Sequence, residues 1–293
     1  MTVVQSQLAA WRCGRFSFDL QTGFRPLVMG VLNCTPDSFS DGGKFFNTET
    51  AIERAHQMIA EGAQIIDIGG ESTRPGAVAI SSAQEQDRVL PVIEALQGCA
   101  VALSLDSYQA STMRAALEVG IDLLNDISGF VDQEHLQIAQ ENEAVGLCVM
   151  HMQENPLTMQ LRPSYQDVVM EVNNFFKQRL AVLQSHAIAS ERIVLDPGIG
   201  FGKTPTHNLM LLNRLADLLV HGRPLLLGIS RKSTLGLILG SNQADRTMAS
   251  VAAAMTAIEH GARIVRVHDV GPTVEAIQVW SAIKTERVDG FLY

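Results

Sequence analysis

Residues 101–129 read V-A-L-S-L-D-S-Y-Q-A-S-T-M-R-A-A-L-E-V-G-I-D-L-L-N-D-I-S-G. Two short apolar runs, Val101–Leu105 and Ile121–Leu124, flank a helical stretch. Each hands over to polar residues, Asp106 after the first and Asn125–Asp126 after the second. Continuous rather than alternating hydrophobicity is expected of strands covered on both faces, as in a parallel sheet.

The same unit recurs on both sides of this stretch, in Leu27–Leu32, Ile65–Ile68, Val145–Met150, Ile193–Leu195, Leu225–Ile229 and Ile264–Val267. Their polar partners are Asn33, Asp67, His151, Asp196, Ser230–Lys232 and Arg266–His268. The intervening segments read as helices. Thr48 or Asn47 caps one carrying Ile52, Ala55 and Ile59, stopped at Gly62. Val168, Val172, Phe175, Phe176 and Leu180 form one face of another, and Asp245 caps a third with Met248, Val251, Met255 and Ile258, ended by Gly261. Eight such units match one α/β (β/α)8 TIM barrel of about 250 residues. The expectation is a single domain over residues 1–293, with Phe16–Leu20 as a short N-terminal leading strand or hairpin. A doubly wound sheet would show the same periodicity. An Asp or Asn after one strand is often only a helix cap; a polar residue at all eight favours a barrel, where they converge on one rim.

Hydrophobic residues make up 46% and charged residues 18%, enough for a buried core and too little charge for a disordered chain. The net charge of -9 comes without a basic stripe, which argues against nucleic acid as a partner. An anionic substrate would therefore depend on local cations. Cys13, Cys34, Cys99 and Cys148 form no C-x-x-C pair or zinc spacing. With no signal peptide and no bilayer-length apolar run, the expectation is a cytoplasmic protein without a membrane partner.

Two loops after predicted strands are long and rich in glycine and hydroxyls: residues 34–43 and 69–76, the second carrying Thr73-Arg74-Pro75. Such loops are usually binding loops or lids. The segment Asp196–Thr204 invites a nucleotide reading but fails on spacing: a Walker loop needs glycine where Pro197 stands, and G-x-G-x-x-G needs glycine at Lys203. Its glycines instead suit a tight turn with the ring of Phe201 facing a flat ligand. Arg266 and His268, two residues apart, share a face if the strand continues, and could hold phosphate oxygens. A rim salt bridge with nearby carboxylates is the plainer alternative. Asp106, Asn125 and Asp196 offer acceptors and one amide to a heterocycle rich in N–H donors, and Lys232 could bond its carbonyl or ring nitrogen.

The segments M-G-V-L-N-C-T-P-D-S-F-S-D-G-G, I-D-I-G-G-E-S-T-R-P-G-A, S-L-D-S, N-D-I-S-G, M-H-M-Q, D-P-G-I-G-F-G-K-T, G-I-S-R-K-S and R-V-H-D-V together resemble the dihydropteroate synthase family of pterin-binding barrels. Cys34 departs from the family's more usual valine. The resemblance implies condensation of a pterin diphosphate with 4-aminobenzoate. It implies a pterin site of Asp106, Asn125, Asp196 and Lys232, with Met150 and Phe201 alongside. The diphosphate would lie on Asn33, Arg74, Arg266 and His268, and Mg2+ on Asn33. Asp67 would organise the rim. Thr73, Pro75, Phe201, Lys232 and Ser233 would line the 4-aminobenzoate pocket. Arg266, His268, Lys232 and Arg74 would act in catalysis. A homodimer and sensitivity to sulfonamides are also implied. A corrinoid-linked pterin methyltransferase or a non-catalytic binder would share the floor but would not need the S-T-R-P loop.

Overall fold

The computed structural model describes residues 10–20, 25–35, 48–72, 79–155, 158–241 and 244–288. A short hairpin, β1 (Ala10–Cys13) and β2 (Phe16–Asp19), precedes eight strands: β3 (Leu27–Asn33), β4 (Ile65–Gly69), β5 (Ala102–Asp106), β6 (Leu123–Asp126), β7 (Gly146–Met150), β8 (Ile193–Asp196), β9 (Leu225–Leu227) and β10 (Ala262–Val267). These eight pair in parallel, in chain order, and β10 returns to β3, so the sheet closes as a barrel. The open-sheet alternative is thereby excluded. Helices α1 (Thr48–Ala60), α2 (Ser82–Ala95), α3 (Ala110–Glu118), α4 (Gln133–Glu141), α5 (Val168–Ser185), α6 (Pro205–Asn213), α7 (Ser233–Ile238), α8 (Thr247–Glu259) and α9 (Val270–Thr285) fill the connections.

Side chains along a strand alternate between its faces, so inward residues recur every second position. Met29, Ile65, Ala102, Leu123, Cys148, Val194, Leu226 and Ile264 form one buried cluster inside the barrel. Two positions further along stand Val31, Asp67, Ser104, Asn125, Met150, Asp196 and Arg266 on the same strands, and Gly228 just past the end of β9. The interior thus changes from apolar to polar within one layer, and the polar layer lies toward the C-terminal strand ends. The strands β4, β5, β6 and β8 run one residue or more past the predicted apolar runs, since a strand's bonding does not stop where its hydrophobicity does. Strand β9 is shorter than Leu225–Ile229, and the backbone leaves the ladder before Ser230.

The hairpin covers the opposite, apolar end. Trp11 and Cys13 join the inner cluster, and the Trp11 indole donates to the Arg192 carbonyl at 3.1 Å. Gly14 turns the hairpin with φ +57, where a Cβ would meet Asp122 at 2.4 Å. Asp122 in turn accepts from the Arg15 guanidinium at 2.8 and 3.0 Å and from Leu103 N at 3.0 Å. Trp11→Ala is expected to cost about 3–5 kcal/mol and to lower Tm by roughly 6–12 °C. A melt shifted by less than about 2 °C would show that the hairpin is not part of the cooperative core.

The helix starts differ in detail from the sequence reading. Thr48 is the first residue of α1 rather than its cap, and Asn47 lies outside the described residues. The α1 core face is Ala51, Ala55 and Met58, with Ile52 and Ile59 partly buried. Asp245 does accept from Thr247 N at 2.9 Å, but Arg246 holds the cap position of α8. Met248 points outward at 77% exposure; Val251, Ala254, Ala257 and Ile258 face the core. A tightly wound alanine-rich helix places neighbouring residues 100° apart, so membership of an apolar run does not decide burial.

Candidate active site

At the polar layer, Arg266 projects from β10 and bridges two carboxylates. Its Nε donates to Asp67 Oδ2 and its Nη2 to Asp106 Oδ2, both at 2.5 Å. Burial works against the guanidinium charge, but Asp67 and Asp106 outweigh it and raise its pKa. Asp67 also accepts from Ser104 Oγ at 2.5 Å and from Asn125 Nδ2 at 3.1 Å. It is fully buried. The expectation that Asp67 organises the rim is therefore corrected: as the third residue of β4 it points inward one layer below the strand's end, and its described partners all stand on strands.

Asn125 is also buried, and its Oδ1 accepts no hydrogen bond from any described residue. An unbonded buried acceptor costs about 1–3 kcal/mol, which a ligand N–H would recover. Beside it, burial pushes the Asp106 carboxyl up to about 7 against the pull of Arg266. Asp196, on β8, accepts from Gly198 N at 2.7 Å and is pushed by burial up to about 6. The charge of Lys232 acts on both carboxyls. These side chains come from five strands and one helix cap and meet at one mouth, as predicted.

The Asp196–Thr204 loop explains why the nucleotide templates failed. Gly198, Gly200 and Gly202 all have positive φ, of 67, 82 and 62°. At Gly198 a Cβ would meet the His151 carbonyl oxygen at 1.9 Å, and at Gly200 it would meet the Lys232 side chain at 3.1 Å. Phe201, partly exposed, lies 4.3 Å from the Lys232 ammonium, a cation–π contact. Lys203, which sequence reasoning left without a role, is buried under its own loop. Its Nζ donates at 2.9 Å to the carbonyls of Gly198 and Phe201 and to His151 Nδ1. Burial pulls the Lys203 pKa down to about 7, yet these three acceptors, with the His151 carbonyl a fourth at 3.3 Å, occupy all the donors of its charged form. Burial and this neighbouring ammonium hold His151 neutral, its pKa down to about 2.

The strand does not continue to His268, so two-residue alternation no longer ties it to the face of Arg266. Strand β10 ends at Val267, and the His268 ring instead meets Ser230 Oγ at 3.1 Å, which also accepts from His268 N at 3.2 Å. Ser230 was read only as a strand-end polar residue; its partner could not be inferred without the fold. Ser104 was legible, since it stands two residues before Asp106 and so on the same strand face. Asn33 ends β3, half-buried, in register with Gly69. Met150 is buried opposite Asp196. Ser233 opens α7 and is exposed. Thr73, Arg74, Pro75 and most of the first long loop lie outside the described residues.

A profile of the family described as pterin binding enzyme matches residues 29–268. The dihydropteroate synthase of Neisseria meningitidis serogroup B is 46% identical over 279 residues, covering 93% of this chain and 97% of the relative. The chain belongs to the dihydropteroate synthase family. Among solved structures, the Yersinia pestis dihydropteroate synthase with a sulfonamide drug complex shares 42% identity and a TM-score of 0.88, covering 94% of this chain and 99% of that one. The Burkholderia cenocepacia dihydropteroate synthase complexed with 7,8-dihydropteroate shares 45% identity and a TM-score of 0.85, covering 96% and 99%. The family's reaction, condensation of (7,8-dihydropterin-6-yl)methyl diphosphate with 4-aminobenzoate to give 7,8-dihydropteroate and diphosphate, is the activity of this chain.

Proposed function

We propose that the mouth performs this condensation by gripping the pterin from below and drawing the diphosphate away from above. The observation that carries the reading is the convergence of Asp106, Asn125, Asp196, Lys232 and Arg266, with an unbonded acceptor on Asn125. Asp106, Asn125 and Asp196 accept from the ring's donors. Lys232 faces its carbonyl or ring nitrogen, and Met150 and Phe201 pack beside it. Because Asn125 Oδ1 is covered, the ring reaches it by displacing what lies over it. Arg266 is the natural group to move: it bonds the same Asp67 oxygen as Asn125 does. Swinging toward the diphosphate, Arg266 would meet the leaving group together with Asn33, Arg74 and His268.

Departure of diphosphate leaves a cation on the pterin methylene, stabilised by the electron-rich ring and the carboxylates below. The 4-aminobenzoate amine then attacks, forming the C–N bond, and loses a proton. Thr73, Pro75, Phe201, Lys232 and Ser233 line the pocket for this second substrate. Positioning and fixed charges supply most of the rate enhancement in such a scheme. Among the described residues no group of three or more His, Cys, Asp or Glu side chains is arranged for a metal. Asn33 alone still suits Mg2+, an ion that keeps several waters and binds largely through substrate phosphates. Asn33 would hold the ion against the diphosphate, where it would neutralise charge on the leaving oxygens.

Among the described residues no helix is long and apolar enough to cross a membrane, and a cytoplasmic location is part of the proposal. The exposed apolar side chains of α8 and α9, Met248, Val279 and Ile283, suit a homodimer face. The deciding experiment is diphosphate release from the pterin diphosphate with and without 4-aminobenzoate. Equal rates would remove the basis for these roles. A sulfonamide should compete with 4-aminobenzoate in steady-state kinetics; purely non-competitive inhibition would move the second pocket elsewhere.

The raised carboxyls predict a pH dependence. Asp106 and Asp196 must be ionised to accept from ring N–H groups, and their values of about 7 and about 6 lie above the ordinary range. Pterin affinity should therefore fall as pH drops from 7.5 to 5, by up to about tenfold per unit per group. Without ligand the sign reverses: the stability these two acids contribute is complete below about pH 4 and lost as pH rises through 6 to 7. Calorimetric titration of pterin against wild type and Asp106→Asn checks this, and an identical pH profile in both would refute it.

A further inference from the structure

Every described side chain bonded to the Asp67 carboxyl donates to it. Ser104 Oγ donates to Oδ1 at 2.5 Å, while Arg266 Nε and Asn125 Nδ2 both donate to Oδ2, at 2.5 and 3.1 Å. For the guanidinium this imposes nothing, because arginine only donates. The amide of Asn125 is different. Its oxygen and nitrogen ends have nearly the same shape and opposite bonding roles. It presents Nδ2 to the Asp67 carboxyl, and Oδ1 is turned the other way. That oxygen is buried and bonded to no described residue. Asp67 is not needed merely to neutralise Arg266, since Asp106 already does so from β5.

We propose that Asp67 is a positioning residue that locks the amide of Asn125 with its oxygen toward the ring, so that the pterin site selects a ring bearing an amino donor at that point. Ser104 keeps the other Asp67 oxygen occupied and the carboxylate plane fixed. The inference rests on the pterin placement proposed above and deepens it from binding to selection. It also assigns a cause to a layer that the sequence reading had treated as rim. Specificity of this kind comes from the mismatch: an analogue offering an acceptor would leave two acceptors face to face in a buried site.

The test compares the dissociation constants of pterin and of lumazine, which carries a carbonyl where pterin has its 2-amino group. Wild type is expected to prefer pterin by about 100-fold or more. Asp67→Ala frees the amide to flip and should reduce the ratio at least about tenfold. Asp67→Asn should keep it, because its carbonyl can face Asn125 and Arg266 while its NH2 donates to the Ser104 hydroxyl. Asp67→Asn combined with Ser104→Ala removes that acceptor and should lose the ratio again. A folded Asp67→Ala with the wild-type ratio would overturn the role of Asp67 while leaving the pterin placement intact. A wild-type ratio near one, with no loss of pterin binding in Asn125→Ala, would overturn the placement itself. If the variants do not fold, neutron diffraction from wild-type crystals decides: deuterons of Asn125 directed at Asp67 support the lock, and deuterons directed away from it end the proposal.

Discussion

Arg266→Ala is expected to lower kcat about 10²–10³-fold, the usual cost of removing one donor that stabilises charge at a leaving or attacking oxygen. It should also lose about 3–5 kcal/mol of stability, because Asp67 and Asp106 would be left buried without their shared partner. The two effects separate by pH. Burial already holds the Asp106 carboxyl up at about 7 against the pull of Arg266, and loss of the guanidinium would raise it further. Its folded value then lies above its unfolded one, so the variant loses stability as pH rises. The gap from wild type should be smaller near pH 5 than near pH 8, whereas the loss in kcat per folded site should persist. Denaturant unfolding at both pH values, with diphosphate release normalised to folded protein, checks this. A variant that turns over normally once folded would make Arg266 a structural residue and remove the leaving-group role.

Lys203→Met is expected to have a structural effect of similar size. The methionine fills a similar length but cannot donate to the Gly198 and Phe201 carbonyls or to His151 Nδ1, each bonded at 2.9 Å. Leaving such buried acceptors unpaired costs about 1–3 kcal/mol each, and about 3–5 kcal/mol together once partial relaxation is allowed. With these bonds gone, Phe201 is no longer held over Lys232, and KM for 4-aminobenzoate should rise about tenfold or more. If the melt were unchanged and KM for either substrate unaltered, the ammonium would have no part in fixing the loop. Reduced diphosphate binding with a normal melt would instead revive the phosphate-cradle reading that the spacing excluded.

Much of the site was legible because strand periodicity is local. Once Val101–Leu105 is read as a strand, Asp106 stands at its C-terminal end, and the same step yields Asn125, Asp196 and Arg266 from their own runs. The glycines at 198, 200 and 202 were readable as turn formers, and their positive φ values bear this out. What was missed shares one cause. Asp67 was placed at the rim, Lys203 was given no role, and the Ser230 partner of His268 was not found, because each required knowing what lay across the barrel.

The chain by itself determined the eight strand–helix units and the polar residue closing each, and its motifs carried the family resemblance. These follow from hydrophobic period and short motifs, which act within a few residues of one another. Only the tertiary structure decided that the sheet closes, that Arg266 reaches both Asp67 and Asp106, that Ser104 and Asn125 share Asp67, and that Lys203 ties its loop to His151. Those facts depend on strand register and closure, which bring together residues as far apart as Asp67 and Arg266. No local preference encodes such a pairing; it arises when the buried layers of all eight strands are packed at once.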